Sequence, residues 1–204
     1  MSIYGENNNT PVTNIVTDQL PDMYAEISNQ LTNRVDILNS VVFIEGEINN
    51  TTLMSFIMRV RAILATREET DQSPINVLLN SPGGDVYEMF GIIDYIESLD
   101  VPVNIICRGR AMSAASVILA CGTGTRMISK RSTVMFHQAS TDIYGKASDM
   151  NSYLKNLNKL EQEVNNLLAS KTKKDAKWWA ENTMNDLYLM PEQLLEYGII
   201  DEII

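Results

Sequence analysis

The chain has 204 residues, 45% of them apolar, and a formal net charge of -10 at pH 7. That length supports one sizeable core, while the acidic balance argues against nucleic acid and anionic membrane as partners. No apolar run approaches the ~18 residues of a membrane span, and the polar start of the chain lacks the apolar centre of a secretory signal.

Residues 1–20 are expected to form a mobile N-terminal segment, with 21–204 as a single domain. Met23 to Leu38 is read as a helix. Val41 to Ile44 is a short buried strand ending at Gly46. Asn50 or Thr51 caps the next helix, where Leu53, Phe56, Ile57, Val60, Ile63 and Leu64 follow helical spacing. Ile75 to Leu79 is the second strand, and Asn80-Ser81-Pro82-Gly83-Gly84 is read as a turn. Asp85 then caps a helix carrying Val86, Met89, Phe90, Ile93 and Ile96. Val101 to Cys107 is the third strand, followed by a tight glycine turn at Gly109 and a helix that starts at a serine.

Arg126 to Ile128 and Thr133 to Phe136 are two further short strands, the second delivering His137. Thr141 to Tyr144 is an extended segment. A long helix over about 148–170 carries Met150, Leu154, Leu157, Leu160, Val164, Leu167 and Leu168 in one stripe, wider than a small core needs and read as partly an oligomer contact. Trp178 and Trp179 lie in a short helix. Pro191 to Tyr197 is the last helix, closed by Gly198, and Ile199 to Ile204 is a terminal strand. Alternating strands and helices define an α/β class with a mostly parallel sheet.

Cys107 and Cys121 both lie in apolar runs and read as buried free thiols, which suits a reducing cytoplasmic setting. One histidine and two cysteines offer no metal-binding spacing.

Open α/β sheets build sites beyond the carboxyl ends of their strands. Three features fall there: the glycine turn after Leu79, the serine turn after Cys107, and His137. A serine hydroxyl needs a base to become a nucleophile, and histidine suits that role near neutral pH. A carboxylate must orient the imidazole, and backbone amides must meet the oxyanion. The amides of Gly84 and Ala114 are the natural donors. Ser113 ranks above Ser116, which lies a turn further into the helix. Residue spacing leaves the carboxylate open among Asp142, Asp149, Asp175 and Asp186.

These segments resemble the Clp protease proteolytic subunit family, ClpP. Asn80 to Gly84 is similar to its oxyanion loop, Gly109-Arg110-Ala111-Met112-Ser113 to its nucleophile turn, and Val134-Met135-Phe136-His137-Gln138 to its histidine strand. Asn185 to Leu189, followed by Glu196-Tyr197-Gly198-Ile199-Ile200-Asp201, is similar to its aspartate segment and C-terminal signature. The likeness runs from about Val41 to the end.

The resemblance implies a ClpP/crotonase-like fold of repeated ββα units with a protruding handle helix over about 148–170. It implies a serine endopeptidase with Ser113 as nucleophile, His137 as base, Asp186 as orienter, and Gly84 and Ala114 as oxyanion donors. It further implies seven-membered rings stacked in pairs around a chamber, an AAA+ unfoldase partner, unfolded protein or peptide as substrate, no cofactor, and an N-terminal pore loop or propeptide.

The chain departs from the family at Met112, which fills a usually small position and predicts a tighter pocket. It departs at Ala139 and Thr141-Asp142, where the family has a proline and a glycine pair, and at Met184-Asn185, where it has a charged inter-ring pair. Asn76, Leu78 and Ser98 replace residues of the unfoldase-docking groove. These differences admit two alternatives, a weakly active or non-catalytic structural or regulatory ring subunit and a phage capsid-maturation protease of the same family. The related crotonases, which need no serine–histidine pair, and a serine–lysine peptidase using Lys130 fit less well, given His137 and Asp186 and no membrane segment.

Overall fold

The computed structural model describes residues 29–140 and 144–204. The expected N-terminal segment, the start of the helix from Met23, and Thr141 to Ile143 lie outside the described residues.

Described helix α1 covers residues 29–38. There follow β1 (Val41–Ile48), α2 (Asn50–Ala65), β2 (Ile75–Gly84), α3 (Val86–Glu97), β3 (Val103–Met112) and α4 (Ala114–Ala120). Then come β4 (Arg126–Ile128), β5 (Thr133–Phe136), α5 (Ala147–Lys171), α6 (Ala176–Asn182), β6 (Leu187–Leu189), α7 (Pro191–Glu196) and β7 (Glu202–Ile203). The strands form one sheet in the order β1-β2-β3-β4-β7, with β5 beside β3 and β6 beside β5. Every pairing is parallel except β5 with β6. The α/β class and mostly parallel sheet are as the alternation of elements predicts.

Along β2 and β3, fully buried residues (Ile75, Val77, Leu79; Val103, Ile105, Cys107) alternate with half-buried ones. The buried set packs with Phe56, Val60 and Ile63 of α2, with Met89, Ile92, Ile93 and Ile96 of α3, and with all of α4 in one core. Each fully buried aliphatic side chain is worth about 1.5–3 kcal/mol of transfer free energy. The alternate face carries polar groups: Asn104 donates from Nδ2 to Asn76 Oδ1 at 2.9 Å, and its own Oδ1 accepts from the Thr125 amide at 2.7 Å.

Two helix starts show how side chains replace missing backbone partners. Asn49, one residue before the predicted cap, accepts from the Thr52 amide at 3.1 Å and opens α2. Asp85 accepts from the Tyr87 and Glu88 amides at 2.7 and 3.2 Å and opens α3. At the other end of the chain, α7 stops at Tyr197, with Gly198 in the left-handed region at φ 71°.

The two glycine segments predicted as turns are continuations of strands. β2 runs on through Gly84 and β3 through Met112; the β1–β2 pairing breaks register at Glu45/Glu47 and the β2–β3 pairing at Leu79/Ser81, where Leu79 faces Cys107 and Ser81 faces Ala111. These are bulges, in which extra residues kink a strand without ending it. Side chains pin them: Ser81 Oγ donates to Gly46 O at 2.5 Å, while Ser132 Oγ accepts from the Gly109 amide at 2.9 Å and donates to Cys107 O at 3.3 Å. Past Gly109, β3 changes neighbour. Residues 105–107 pair with β4, whereas 110–112 pair with β5. That switch turns the ends of β2, β3 and β5 toward one another.

α5 spans the predicted long helix. Its C-terminal half packs through Leu168 and Val164, while Tyr153 and Leu154 in its first half are 44% exposed. Beside it, Trp179 is fully buried against Phe136, and its Nε1 donates to Thr172 Oγ1 at 3.1 Å. The terminal strand is shorter than predicted, because Ile199 and Ile200 are buried behind α7 and only Glu202–Ile203 pairs with β4.

Candidate active site

A cleft of about 520 Å3 opens where β2, β3 and β5 end, with α5 as its far wall. Ser113, His137, Gly84 and Ala114 all line it.

Ser113 closes β3 and precedes α4. Its backbone has φ 53° and ψ -125°, which few residues other than glycine adopt and which costs about 1–3 kcal/mol. Surrounding contacts hold it there. Its amide donates to Met135 O at 2.8 Å, and its carbonyl accepts from the Ser116 amide at 2.9 Å and the Ser116 hydroxyl at 2.6 Å. Ser116 is fully buried and its hydroxyl is committed to this bond, so it braces Ser113. Met112 pairs with Met135 on β5 and is not among the residues that line the cleft.

Gly83 lies against the serine. A Cβ there would come within 2.5 Å of Met112 O and 2.7 Å of Ser113 Cβ, and φ is 97°. Gly84 similarly abuts the Ile48 backbone. Ala114 is the first residue of α4, so the helix itself has no acceptor for its amide. Glycine is required here by backbone approach as much as by turn geometry.

His137 follows β5, and Asp186 precedes β6. The antiparallel pairing of Phe136 with Leu187 sets the two residues opposite one another. His137 Nδ1 lies 3.8 Å from Asp186 Oδ1, within ion-pair range and longer than a hydrogen bond. The other carboxylates left open by spacing lie elsewhere. Asp175 caps α6, accepting from the Trp178 amide at 2.7 Å. Asp149 sits in the first turn of α5 and accepts from Ser148 Oγ at 3.2 Å. Asp142 is outside the described residues.

Sequence reasoning missed the far wall. Leu157, Leu160, Glu161, Val164, Asn165 and Leu168 of α5 all line the cleft. Their stripe was legible, but which of its residues face a site depends on how α5 docks. Burial pushes the Glu161 carboxyl up from its usual range, opposed by the Ala139 amide, the Gln138 side chain and nearby His137. Cys107 and Cys121 are free, fully buried and remote from this chemistry. No group of three or more His, Cys, Asp or Glu residues among the described residues is placed to hold a metal, and no described helix is long and apolar enough to cross a membrane.

A serine in a strained backbone conformation, a histidine 3.8 Å from a carboxylate, and a glycine-built backbone beside a helix start share one edge of an α/β sheet, the class of site that this fold defines. Comparison with known proteins narrows that class. The Clp protease family matches residues 23–204, and the chain belongs to that family. Similar relatives include the ATP-dependent Clp protease proteolytic subunit 1 of Shouchella clausii (strain KSM-K16), 31% identical over 182 residues, 89% of this chain and 92% of the relative. The protein of the same description from Rhodopirellula baltica is 30% identical over 167 residues, covering 81% of this chain and 72% of the relative. Its counterpart from Prochlorococcus marinus (strain MIT 9312) is 30% identical over 162 residues, covering 79% and 82%.

Proposed function

We propose that this chain is the proteolytic subunit of a barrel-shaped, cytoplasmic serine peptidase that cleaves unfolded proteins or peptides inside a chamber. The observation that carries the reading is the approach of His137 to Asp186, 3.8 Å apart, beside a cleft that Ser113 also lines. Ser113 Oγ attacks the scissile carbonyl while His137 takes its proton. Asp186 orients the imidazole and stabilises its charged form. The amides of Gly84 and Ala114 receive the developing oxyanion. His137 then returns the proton to the leaving amine, and water cleaves the acyl-enzyme by the same route.

Self-assembly into seven-membered rings, stacked in pairs with α5 as the handle, belongs to the proposal, as does an AAA+ unfoldase that spends the ATP. The exposed first half of α5 supports the handle. The Asn76–Asn104 hydrogen bond puts polar groups where the family's docking groove is apolar, so unfoldase binding is weaker than usual. A host Clp ATPase that stimulates degradation with ordinary affinity overturns that part.

A non-catalytic ring subunit is the second reading. The observation favouring it is that 3.8 Å exceeds hydrogen-bond length, although such contacts tighten in assembled or substrate-bound sites. A fluorophosphonate separates the two. The peptidase reading requires labelling that Ser113→Ala abolishes, whereas a native chain that resists labelling and leaves a fluorogenic peptide intact is the structural subunit.

A further inference from the structure

The cleft carries an electrostatic feature that the triad does not use. No lysine or arginine is among the described residues lining it, whereas two carboxylates are, Asp85 and Glu161. Asp85 is committed to capping α3. Glu161 is half-buried on α5, and no lysine or arginine among the described residues forms an ion pair with it. Its carboxylate is hydrogen-bonded by the neutral Ala139 amide and Gln138 side chain, and His137 is the nearby group able to carry positive charge. Leu157, Leu160 and Val164 flank Glu161 on the same wall. An apolar wall ending in a carboxylate that has no lysine or arginine partner suits a side chain with a long aliphatic stem and a cationic end.

We propose that Glu161 forms a subsite for a basic side chain, so that the cleft selects peptides carrying lysine or arginine close to the cleaved bond. This rests on the reading of the cleft as a peptidase site. Burial already makes the Glu161 charge unfavourable, so an arriving cation relieves that penalty while the stem covers the leucines. A norleucine side chain fills the same space without the charge. The comparison therefore isolates the ion pair from the packing.

The test uses the full-length protein and fluorogenic peptides with lysine or norleucine at one of the three positions preceding the reporter. At one position, lysine should exceed norleucine in kcat/KM by about tenfold or more, and Glu161→Gln should bring that ratio close to one. A ratio near one at all three positions in the native chain overturns the inference, as does a preference that survives Glu161→Gln. If Glu161 only holds Gln138 and Ala139 in place, the variant slows both peptides together and the ratio persists, which also overturns it. Fluorophosphonate labelling of the native chain keeps the two levels apart. Labelling without a lysine preference removes the subsite and leaves the peptidase; no labelling and no hydrolysis removes both.

Discussion

The Ser116 hydroxyl donates to the Ser113 carbonyl at 2.6 Å, so the second serine of the turn holds the first in its unusual backbone conformation. Ser116→Ala removes that bond but leaves the Ser116 amide on the same carbonyl. A loss of about 1 kcal/mol in urea denaturation is expected. Fluorophosphonate labelling should be slowed and still occur, because Ser113 remains. Complete loss of labelling in a folded Ser116→Ala protein would contradict the bracing role.

Gly83 is predicted to be intolerant of any side chain. Its added Cβ would meet Met112 O and Ser113 Cβ at 2.5 and 2.7 Å, so the serine must move. A displacement of about 1 Å costs on the order of 100-fold in rate. Gly83→Ala should therefore lose about that factor in kcat on a small peptide, together with about 1–3 kcal/mol of stability. A fully active Gly83→Ala protein would show that the backbone approach is relaxed in solution.

Asp186→Asn keeps the shape and removes the charge facing His137. A buried carboxylate in this role is worth about 10,000-fold in kcat. Here the Asp186 side chain is 55% exposed and 3.8 Å away, so solvent screens the interaction and a smaller loss is expected, about 10- to 1,000-fold. Peptide hydrolysis at pH 7 to 8 measures it, with Asp175→Asn as a control that should retain activity.

The two thiols give a pH dependence of stability. Burial raises the Cys107 pKa from 9.0 to about 11 and that of Cys121 from 9.0 to about 12. The native state therefore keeps protons that the unfolded chain releases above pH 9. Stability tied to these groups is fully present below pH 9 and declines between pH 9 and about 11 to 12, by up to about 1.4 kcal/mol per pH unit for each thiol. Denaturation midpoints from pH 8 to 10.5 should fall less in a Cys107→Ala/Cys121→Ala protein than in the native one. At pH 8, a thiol reagent should modify neither cysteine until the protein unfolds.

Much of the scaffold was legible along the chain because its signals are local. Short apolar runs marked β2 and β3, and the spacing of apolar residues marked α2 and α3. Asp85 announced a cap, and Gly198 a helix end. The two glycine segments were legible as special backbone but misread in kind. Whether such a segment turns the chain or kinks it depends on partners elsewhere in the chain, here Gly46 for Ser81 and Ser132 for Gly109.

The sequence by itself determined the alternating α/β order, the separate segments carrying Ser113 and His137, and the likeness that singled out Asp186. These follow from residue type and spacing, which a chain carries unfolded. Only the tertiary structure decided which groups meet. The Phe136–Leu187 register brings His137 to Asp186, the bracing bond sets Ser116 apart from Ser113, and the docking of α5 brings Glu161 into the cleft. Each is a contact between distant parts of the chain, set by strand register and helix packing. The serine turn with which the site begins is thus a local motif whose chemistry depends on non-local partners.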